Sequence, residues 1–148
     1  MLIADILKEK GHQVYSISPD STVYESIEKM SEKNVGALLV MEGEKLVGII
    51  SERDYSTKII LKGRTSKETK VHEIMTSDVH CVTPKDNVET CMSMMTNEKF
   101  RHLPVLDQDE NVVGVISIGD LVKAIISQQK GEISTLRNYI TSGGGYPG

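Results

Sequence analysis

A serine and an aspartate three residues apart occur twice in the chain, each time at the end of an apolar run. Ser51 and Asp54 lie in GIISERDY, and Ser117 and Asp120 lie in GVISIGDL. One interpretation is a capping box, in which both side chains bond to backbone N–H groups in the first turn of a helix. The other is a nucleotide site, because a helix N-terminus favours phosphate and a carboxylate accepts hydrogen bonds from ribose hydroxyls. The two roles are compatible, since the serine can cap while the aspartate faces a ligand.

The two motifs belong to an internal repeat that runs through most of the chain. SISPDSTV, which contains Pro19, aligns with CVTPKDNV, which contains Pro84, and VGALLVM aligns with FRHLPVL. Each copy predicts a short strand, an amphipathic helix, two strands joined by a polar turn and a second helix. The order β-α-β-β-α, twice, indicates an α/β (α+β) fold. A sheet with both helices on one face needs cover on the other, so we expect the repeats to pack sheet to sheet, with pseudo-twofold symmetry, around one core.

The repeat and the polar stretches between its copies give the domain organisation. The second helices of the two copies are predicted over residues 52–62 and 118–129, and one more short helix follows. We therefore divide the chain into four parts: a first repeat with an N-terminal helix (1–62), a linker (63–70), a second repeat (71–130), and a short helix with a flexible Gly-rich tail (131–148).

Composition narrows the class of protein. The 148 residues carry a net charge of −4, so nucleic acid is not an expected partner. No apolar run is long enough to span a membrane, for which about 18 residues are needed, and the N-terminus does not have the order of a signal peptide. We expect a cytoplasmic protein with both cysteines reduced.

Neither a metal site nor a catalytic site is predicted. The histidines and cysteines do not have zinc-ligand spacing, and the neighbours His80 and Cys81 would point to opposite faces of a strand. Cys91 falls on the apolar face of a helix, where a core position is expected. No phosphate-binding glycine loop of the P-loop or dinucleotide type precedes a helix. We therefore expect a protein that is not an enzyme.

The paired segments together resemble the tandem cystathionine β-synthase (CBS) domain pair, or Bateman module. The resemblance rests on SPDSTV and TPKDNV, GALLV and RHLPVLD, and GIISERD and GVISIGD, in order and at repeat spacing over about residues 4 to 130. More narrowly, the chain is similar to small stand-alone CBS-pair proteins of bacteria, which have relatives in plant organelles.

The resemblance implies binding of AMP or a related adenosine nucleotide (ADP, ATP or NAD(H)) in clefts between the repeats. Asp54 and Asp120 would hold ribose hydroxyls, and Ser51 and Ser117 would contact ribose or phosphate. Adenine would pack against the opposite repeat, near 79–83 for Asp54 and near 14–18 for Asp120. The residues assigned to the adenine pocket are Val14, Ser16, Ser18, Val79, Cys81, Thr83, Leu103 and Pro104.

Cations for the phosphate would come from Arg53, Arg101 and His102. The second motif has Gly119 where the first has Arg53, and the first repeat has glycine and alanine where the second has Arg101 and His102. We therefore expect two sites of unequal affinity, of which only one need be occupied.

The function implied by the resemblance is a non-catalytic regulatory sensor. It would form a homodimer, and ligand binding would alter its association with a regulated protein that the sequence does not name. Two alternatives stay open: a redox-linked module that reads NAD(H) or regulates a thioredoxin-type protein, and a structural adaptor with vestigial clefts.

Overall fold

A computed structural model describes residues 1–141, without the side chains of residues 134, 135 and 138–141. The predicted Gly-rich tail lies outside the described residues. Within them, the chain forms two small sheets and the helices that accompany them. The predicted α+β fold with two repeats is confirmed.

The first repeat contains a three-stranded sheet. β1 pairs parallel with β2, and β2 pairs antiparallel with β3. The predicted second helix is a short α-helix that continues as a π-helical segment. In chain order the elements are α1 (Ile3–Lys10), β1 (Ser16–Ile17), α2 (Val23–Lys33), β2 (Ala37–Glu42), β3 (Lys45–Ser51), α3 (Glu52–Tyr55) and the π-helical segment (Ser56–Ile60).

The second repeat has one paired strand fewer than predicted. Its elements are α4 (Val71–Ile74), α5 (Val88–Glu98), β4 (His102–Leu106), β5 (Val112–Ser117) and α6 (Ile118–Thr141). The expected first strand is reduced to an isolated parallel bridge between Val82 and Val105. Pro84 contributes no N–H to a ladder, and its carbonyl accepts a hydrogen bond from the Ala4 N–H at 2.9 Å instead.

The long last helix differs from the two shorter helices that the sequence predicts. The prediction that a helix ends near residue 129 is wrong, because α6 runs without interruption from Ile118 to Thr141. Gly119 lies in the first turn, so Gly131 is the one glycine in the interior of this span, and a single interior glycine costs only about 1 kcal/mol. That cost alone does not end a helix whose first turns are packed.

The helices α2 and α5 begin and end in the same way in both repeats. The Thr22 hydroxyl accepts from the Glu25 N–H at 3.1 Å, and the Asn87 side chain accepts from the Thr90 N–H at 2.9 Å. Each helix ends at a residue with positive φ, Asn34 or Lys99. These shared caps direct the following strand, β2 or β4, along equivalent paths.

The helices α1 and α4 are exchanged between the repeats. α1 precedes the first repeat in sequence but packs against the second, where the Val88 N–H donates to the Met1 carbonyl at 2.9 Å. α4 packs against the first repeat, where the Val71 N–H donates to the Ser21 carbonyl at 2.8 Å. Each sheet is therefore covered partly by a helix that lies next to the other repeat in sequence.

Two clusters of buried side chains form instead of the expected single core. Alternation along the strands turns one face of each sheet towards its helices, and that face fills with apolar side chains. The first cluster contains Val23, Met30, Leu38, Val40, Ile50, Ile59, Val71 and Ile74. The second contains Ile3, Ile6, Leu7, Val82, Val88, Cys91, Met95, Leu103, Val105, Ile116 and Leu121. The other faces carry mostly half-buried residues that line clefts, and the buried Leu39 and Pro104 on these faces belong to neither cluster.

Two glycines at matching positions permit the exchanged helices to approach the strands. A Cβ on Gly48 would lie 2.5 Å from the Met75 sulfur and 2.9 Å from the Thr76 carbonyl oxygen. A Cβ on Gly114 would lie 2.6 Å from a methyl carbon of Leu7. A larger residue at either position would collide with the exchanged segment, so the glycine at the start of each Gly-Ile-Ile-Ser or Gly-Val-Ile-Ser run is needed for this packing.

Candidate functional site

The first Ser-x-x-Asp motif forms a capping box at the start of α3. Asp54 Oδ2 accepts from the Ser51 N–H at 2.9 Å and from the Ser51 hydroxyl at 3.1 Å. The Ser51 Oγ in turn accepts from the Asp54 N–H at 3.3 Å. The Glu52 N–H donates to the Gly36 carbonyl at 3.0 Å, which ties the start of the helix to the segment before β2.

The second motif repeats this geometry at the start of α6. Asp120 Oδ2 accepts from the Ser117 N–H at 2.8 Å, and Ser117 Oγ accepts from the Asp120 N–H at 3.1 Å. The Ile118 N–H donates to the Arg101 carbonyl at 2.9 Å, as Glu52 does in the first repeat. The capping interpretation therefore holds for both copies.

Each aspartate also has a lysine partner that the sequence analysis did not assign. Lys58 Nζ lies 3.0 Å from Asp54 Oδ1 and donates to the Ile74 carbonyl at 2.8 Å. Lys10 Nζ lies 2.6 Å from Asp120 Oδ2 and donates to the Val115 carbonyl at 2.7 Å. Lys58 is one helical turn from its aspartate, which is a recognisable sequence signal. Lys10 reaches Asp120 from α1, and no local pattern in the sequence indicates that pair.

The ionisation of Asp120 reflects these contacts. Burial raises the pKa of its carboxyl, but the hydrogen bonds from Lys10 and from Ser117 outweigh burial, so the pKa lies below its ordinary value of 3.8. The carboxylate is therefore fully ionised at neutral pH, and the capping contact and the ion pair both persist there.

Stability should depend on the Lys10–Asp120 pair in a defined pH range. Because the pKa of Asp120 is lowered on folding, its contribution is full above about pH 5 and is lost as the pH falls below 3.8 towards the lowered pKa. The pair is partly exposed, so we expect Lys10→Met to cost about 1 kcal/mol or less at pH 7 and nothing at the acid end. Urea unfolding against pH measures this, with the exposed Lys8→Met on the same helix as control; a constant difference across the range would contradict it.

The first motif opens into a cleft of about 790 Å³ between the repeats. The N-terminal turn of α3 forms one wall, and the residues that lead into β4 form the opposite wall. The lining residues are Gly36, Ile49, Ser51, Glu52, Arg53, Asp54, Ser56, Thr76, Lys99, Phe100, Arg101 and His102. The structure thus brings together five of the predicted ribose and phosphate residues from two different repeats.

The second motif borders a smaller cleft of about 390 Å³. Ser117 and Val115 come from β5, and the facing residues come from β2 and from the segment between α1 and β1. The lining residues are Lys10, Gln13, Tyr15, Asn34, Val35, Gly36, Ala37, Leu38, Leu39, Ile49, His102, Val115 and Ser117. Asp120 is not part of this wall, although its partners Lys10 and Ser117 are.

The two clefts meet at a shared wall formed by Gly36, Ile49 and His102. Burial lowers the pKa of His102 below 6.5, and the charges of Lys10 and Arg101 act in the same direction against the opposing effect of Asp120. At pH 7 the ring is therefore neutral. It can exchange a hydrogen bond with a ligand, but it does not add the positive charge that the sequence analysis sought there.

The predicted adenine residues are placed less favourably than the ribose and phosphate residues. Neither cleft is lined by the residues predicted at positions 14, 16 and 18 or 79, 81 and 83; Gln13 and Tyr15 line the second cleft instead. The Leu103 side chain is fully buried in the second cluster, and the Pro104 carbonyl accepts from the Val82 N–H at 2.9 Å. The adenine assignments, namely Val14, Ser16, Ser18, Val79, Cys81, Thr83, Leu103 and Pro104, stay predictions.

The thiols and the possible metal ligands do not form a second site. Burial raises the pKa of Cys81, and burial together with the charge of Asp86 raises the pKa of Cys91. Both sulfurs therefore hold less reactive thiolate than an ordinary cysteine. Among the residues that the structure describes, no three His, Cys, Asp or Glu side chains are grouped to hold a metal ion. No helix within residues 1–141 is long and apolar enough to cross a membrane.

Comparison with known proteins identifies the repeats. The CBS domain family matches twice, over residues 3–60 and 71–127. The chain is 41% identical to the mitochondrial CBS domain-containing protein CBSX3 of Arabidopsis thaliana, over 95% of this chain and 72% of that protein. Its fold is similar to that of a CBS-domain protein of Burkholderia ambifaria, with 45% identity, a TM-score of 0.83, and coverage of 87% of this chain and 96% of the other.

A more distant similarity connects the fold to a ligand complex. A CBS domain protein of Pyrobaculum aerophilum, solved with AMP, superimposes with a TM-score of 0.72 at 21% identity, over 81% of this chain and 89% of that one.

The chain belongs to the CBS-domain family and is a CBS-pair regulatory module, as the repeat motifs predicted.

Proposed function

We propose that this protein is a non-catalytic sensor that binds an adenosine nucleotide, AMP or a relative of it, in the clefts between its two CBS repeats. The main support for the proposal is the composition of the first cleft, where Ser51, Arg53 and Asp54 of one repeat face Arg101 of the other. The aspartate and the serine suit a ribose, and the arginines suit a phosphate. Because these side chains come from both repeats, the site depends on the relative position of the repeats.

Capping does not prevent Asp54 from binding ribose. An ionised carboxylate has about four lone-pair sites. Oδ2 accepts from both the N–H and the hydroxyl of Ser51, and Lys58 uses one site on Oδ1, so Oδ1 keeps capacity for a further donor. A ribose hydroxyl can therefore add to the existing contacts, and the cap holds the carboxylate in one orientation before the ligand arrives.

Charge in the first cleft favours a phosphorylated ligand. Arg53, Lys99 and Arg101 all line the cleft and are exposed, whereas Glu52 and Asp54 are the acidic residues of its wall. Arginine is the residue best suited to bind phosphate through paired N–H groups. We assign the higher nucleotide affinity to this cleft, and the lower affinity to the smaller second cleft.

Structures of the same fold support an adenosine ligand as a class. One is a complex with AMP, and the CBS pair of a protein named MJ0100 was solved with 5′-methylthioadenosine and S-adenosylmethionine. All of these ligands contain adenosine. For this protein we therefore propose a ligand that contains adenosine, and the ligand panel below is designed to name it.

Of the two alternatives, the redox-linked module that reads NAD(H) or regulates a thioredoxin-type protein stays open. The raised pKa of both cysteines disfavours only redox chemistry at the chain's own thiols. An adaptor with vestigial clefts would not need Arg53 and Arg101 on facing walls. The proposal includes a homodimer and a regulated partner protein, for which mass measurement with and without nucleotide is the appropriate test.

Thermal unfolding with a panel of ligands tests the proposed function. We expect AMP, or another of ATP, NADH, 5′-methylthioadenosine and S-adenosylmethionine, to raise the melting temperature by about 5–10 °C at a concentration 100-fold above the dissociation constant. GMP serves as the control for the base. Asp54→Ala combined with Asp120→Ala should remove the shift. An unchanged melting temperature with every adenosine ligand would favour the adaptor.

A further inference from the structure

The second cleft has a cation that the sequence motif does not provide. Gly119 stands where the first motif has Arg53, so the second motif alone offers no positive charge. The structure places Lys10, from a distant part of the chain, in the wall of this cleft together with Ser117 and His102. Its ammonium contacts Asp120 Oδ2 at 2.6 Å and the Val115 carbonyl at 2.7 Å.

Packing fixes the backbone from which Lys10 extends. Ile3, Ile6 and Leu7 of the same helix are buried in the second cluster. The helix ends directly after Lys10, where the Gly11 N–H donates to the Leu7 carbonyl at 2.7 Å. The lysine therefore extends from a rigid anchor, and its position at the cleft is a consequence of the exchanged helix.

The ammonium of Lys10 retains capacity for a ligand. A lysine ammonium has three N–H donors. Within residues 1–141, hydrogen bonds to Asp120 and Val115 are the two that Lys10 makes, which leaves one donor for a group in the cleft. A phosphate oxygen is a strong acceptor for that donor, because the contact is assisted by charge on both sides.

The lysine in the first repeat has a different place. Lys58 bonds to Asp54 and to the Ile74 carbonyl, but it is not part of the wall of the first cleft. In the first repeat, Lys58 neutralises the charge of Asp54, and a different residue, Arg53, faces the cleft. In the second repeat, Lys10 is placed both to neutralise Asp120 and to face the cleft.

We propose that Lys10 is the phosphate-binding residue of the second cleft. Asp120 is not part of the cleft wall, but its Oδ2 lies 2.6 Å from the ammonium of Lys10, which is. A ligand phosphate that draws this ammonium into the cleft therefore vacates one acceptor site on Oδ2, next to the wall, for a ribose hydroxyl, while the Ser117 N–H keeps the other. The cleft volume of about 390 Å³ suits one mononucleotide. The inference rests on the proposed function and deepens it, because it makes the second cleft selective for phosphorylated over unphosphorylated adenosine.

Selectivity between AMP and adenosine tests this inference. Titrations use the chain carrying Arg53→Ala and Arg101→Ala, in which two of the three cations that line the first cleft are removed and its phosphate selectivity is reduced. In that background we expect AMP to bind about 10-fold more tightly than adenosine. Adding Lys10→Met should weaken AMP about 10-fold and leave adenosine unchanged or tighter, since Asp120 loses a competing partner. Lys10→Arg should retain the preference, and Lys8→Met is the control on the exposed side of the helix.

The outcomes separate the inference from the proposed function. Equal weakening of AMP and adenosine by Lys10→Met, or an unchanged ratio of their affinities, would overturn the phosphate role and leave a purely structural ion pair. A wild-type chain that binds neither ligand would overturn the proposed function itself. Urea unfolding of each variant, at the temperature of the titration, verifies that the chain compared is folded.

Discussion

Truncation of Leu7 to alanine should lower the free energy of unfolding by about 2–5 kcal/mol, although the residue lies close to the N-terminus. Leu7 is 1% exposed and packs into the cluster of the second repeat. The change leaves a cavity beneath β5, and it loosens the helix that carries Lys10. Equilibrium unfolding in urea measures the effect.

Leu2→Ala is the matched control, since Leu2 flanks the same helix but is 42% exposed. We expect this variant to change stability by about 0.5 kcal/mol or less. Comparable small losses for both variants would mean that α1 is not docked in the second repeat and would contradict the exchange of helices.

A double-mutant cycle with Gly114 adds a second test of the same contact. Gly114→Ala places a methyl group 2.6 Å from the Leu7 side chain, and overpacking of this kind costs about 1–3 kcal/mol. In the Leu7→Ala background the obstructing methyl groups are gone, so the same substitution should cost clearly less. Additive losses would show that the two residues do not touch.

Removal of the two arginines from the first cleft should have the largest effect on ligand binding. We expect Arg53→Ala with Arg101→Ala to weaken AMP at that cleft about 100-fold and to leave adenosine within about 3-fold, because each lost contact is a charge-assisted hydrogen bond to phosphate. Titration calorimetry with both ligands measures the two affinities.

Lys62→Ala with Lys85→Ala is the control for net charge. Both lysines are exposed and neither lines a cleft, so the pair removes the same charge from the chain without touching the site. If this control weakens AMP as much as the arginine variant does, general electrostatic attraction rather than contact explains the binding.

Most of the correct predictions of secondary structure and fold class came from the internal repeat. Pro19 and Pro84 aligned the copies, and the two Ser-x-x-Asp motifs located the start of α3 and of α6. These signals are local, since capping and strand alternation depend on neighbours in the chain. The fold class followed from them, whereas the meeting of Arg53 and Arg101 across one cleft is a finding of the structure.

What the sequence could not predict depends on contacts between distant segments. Lys10 reaches Asp120 because α1 crosses to the second repeat, and no spacing in the sequence encodes that crossing. The same exchange divides the buried side chains into two clusters. Tyr15 lines the second cleft, where Val14 and Ser16 were expected. Only two residues of β1 are paired, so the sequence does not determine which of its alternating side chains face the cleft.

Titration of AMP into the wild-type chain of residues 1–148 by calorimetry tests the central claim most directly. The account predicts saturable binding with a stronger and a weaker site, at most two per chain. Among the described residues, three cations line the first cleft, whereas Lys10 is the one lysine or arginine in the lining of the second. Two identical sites would contradict the assigned asymmetry, and the absence of saturable binding would contradict the nucleotide sites themselves.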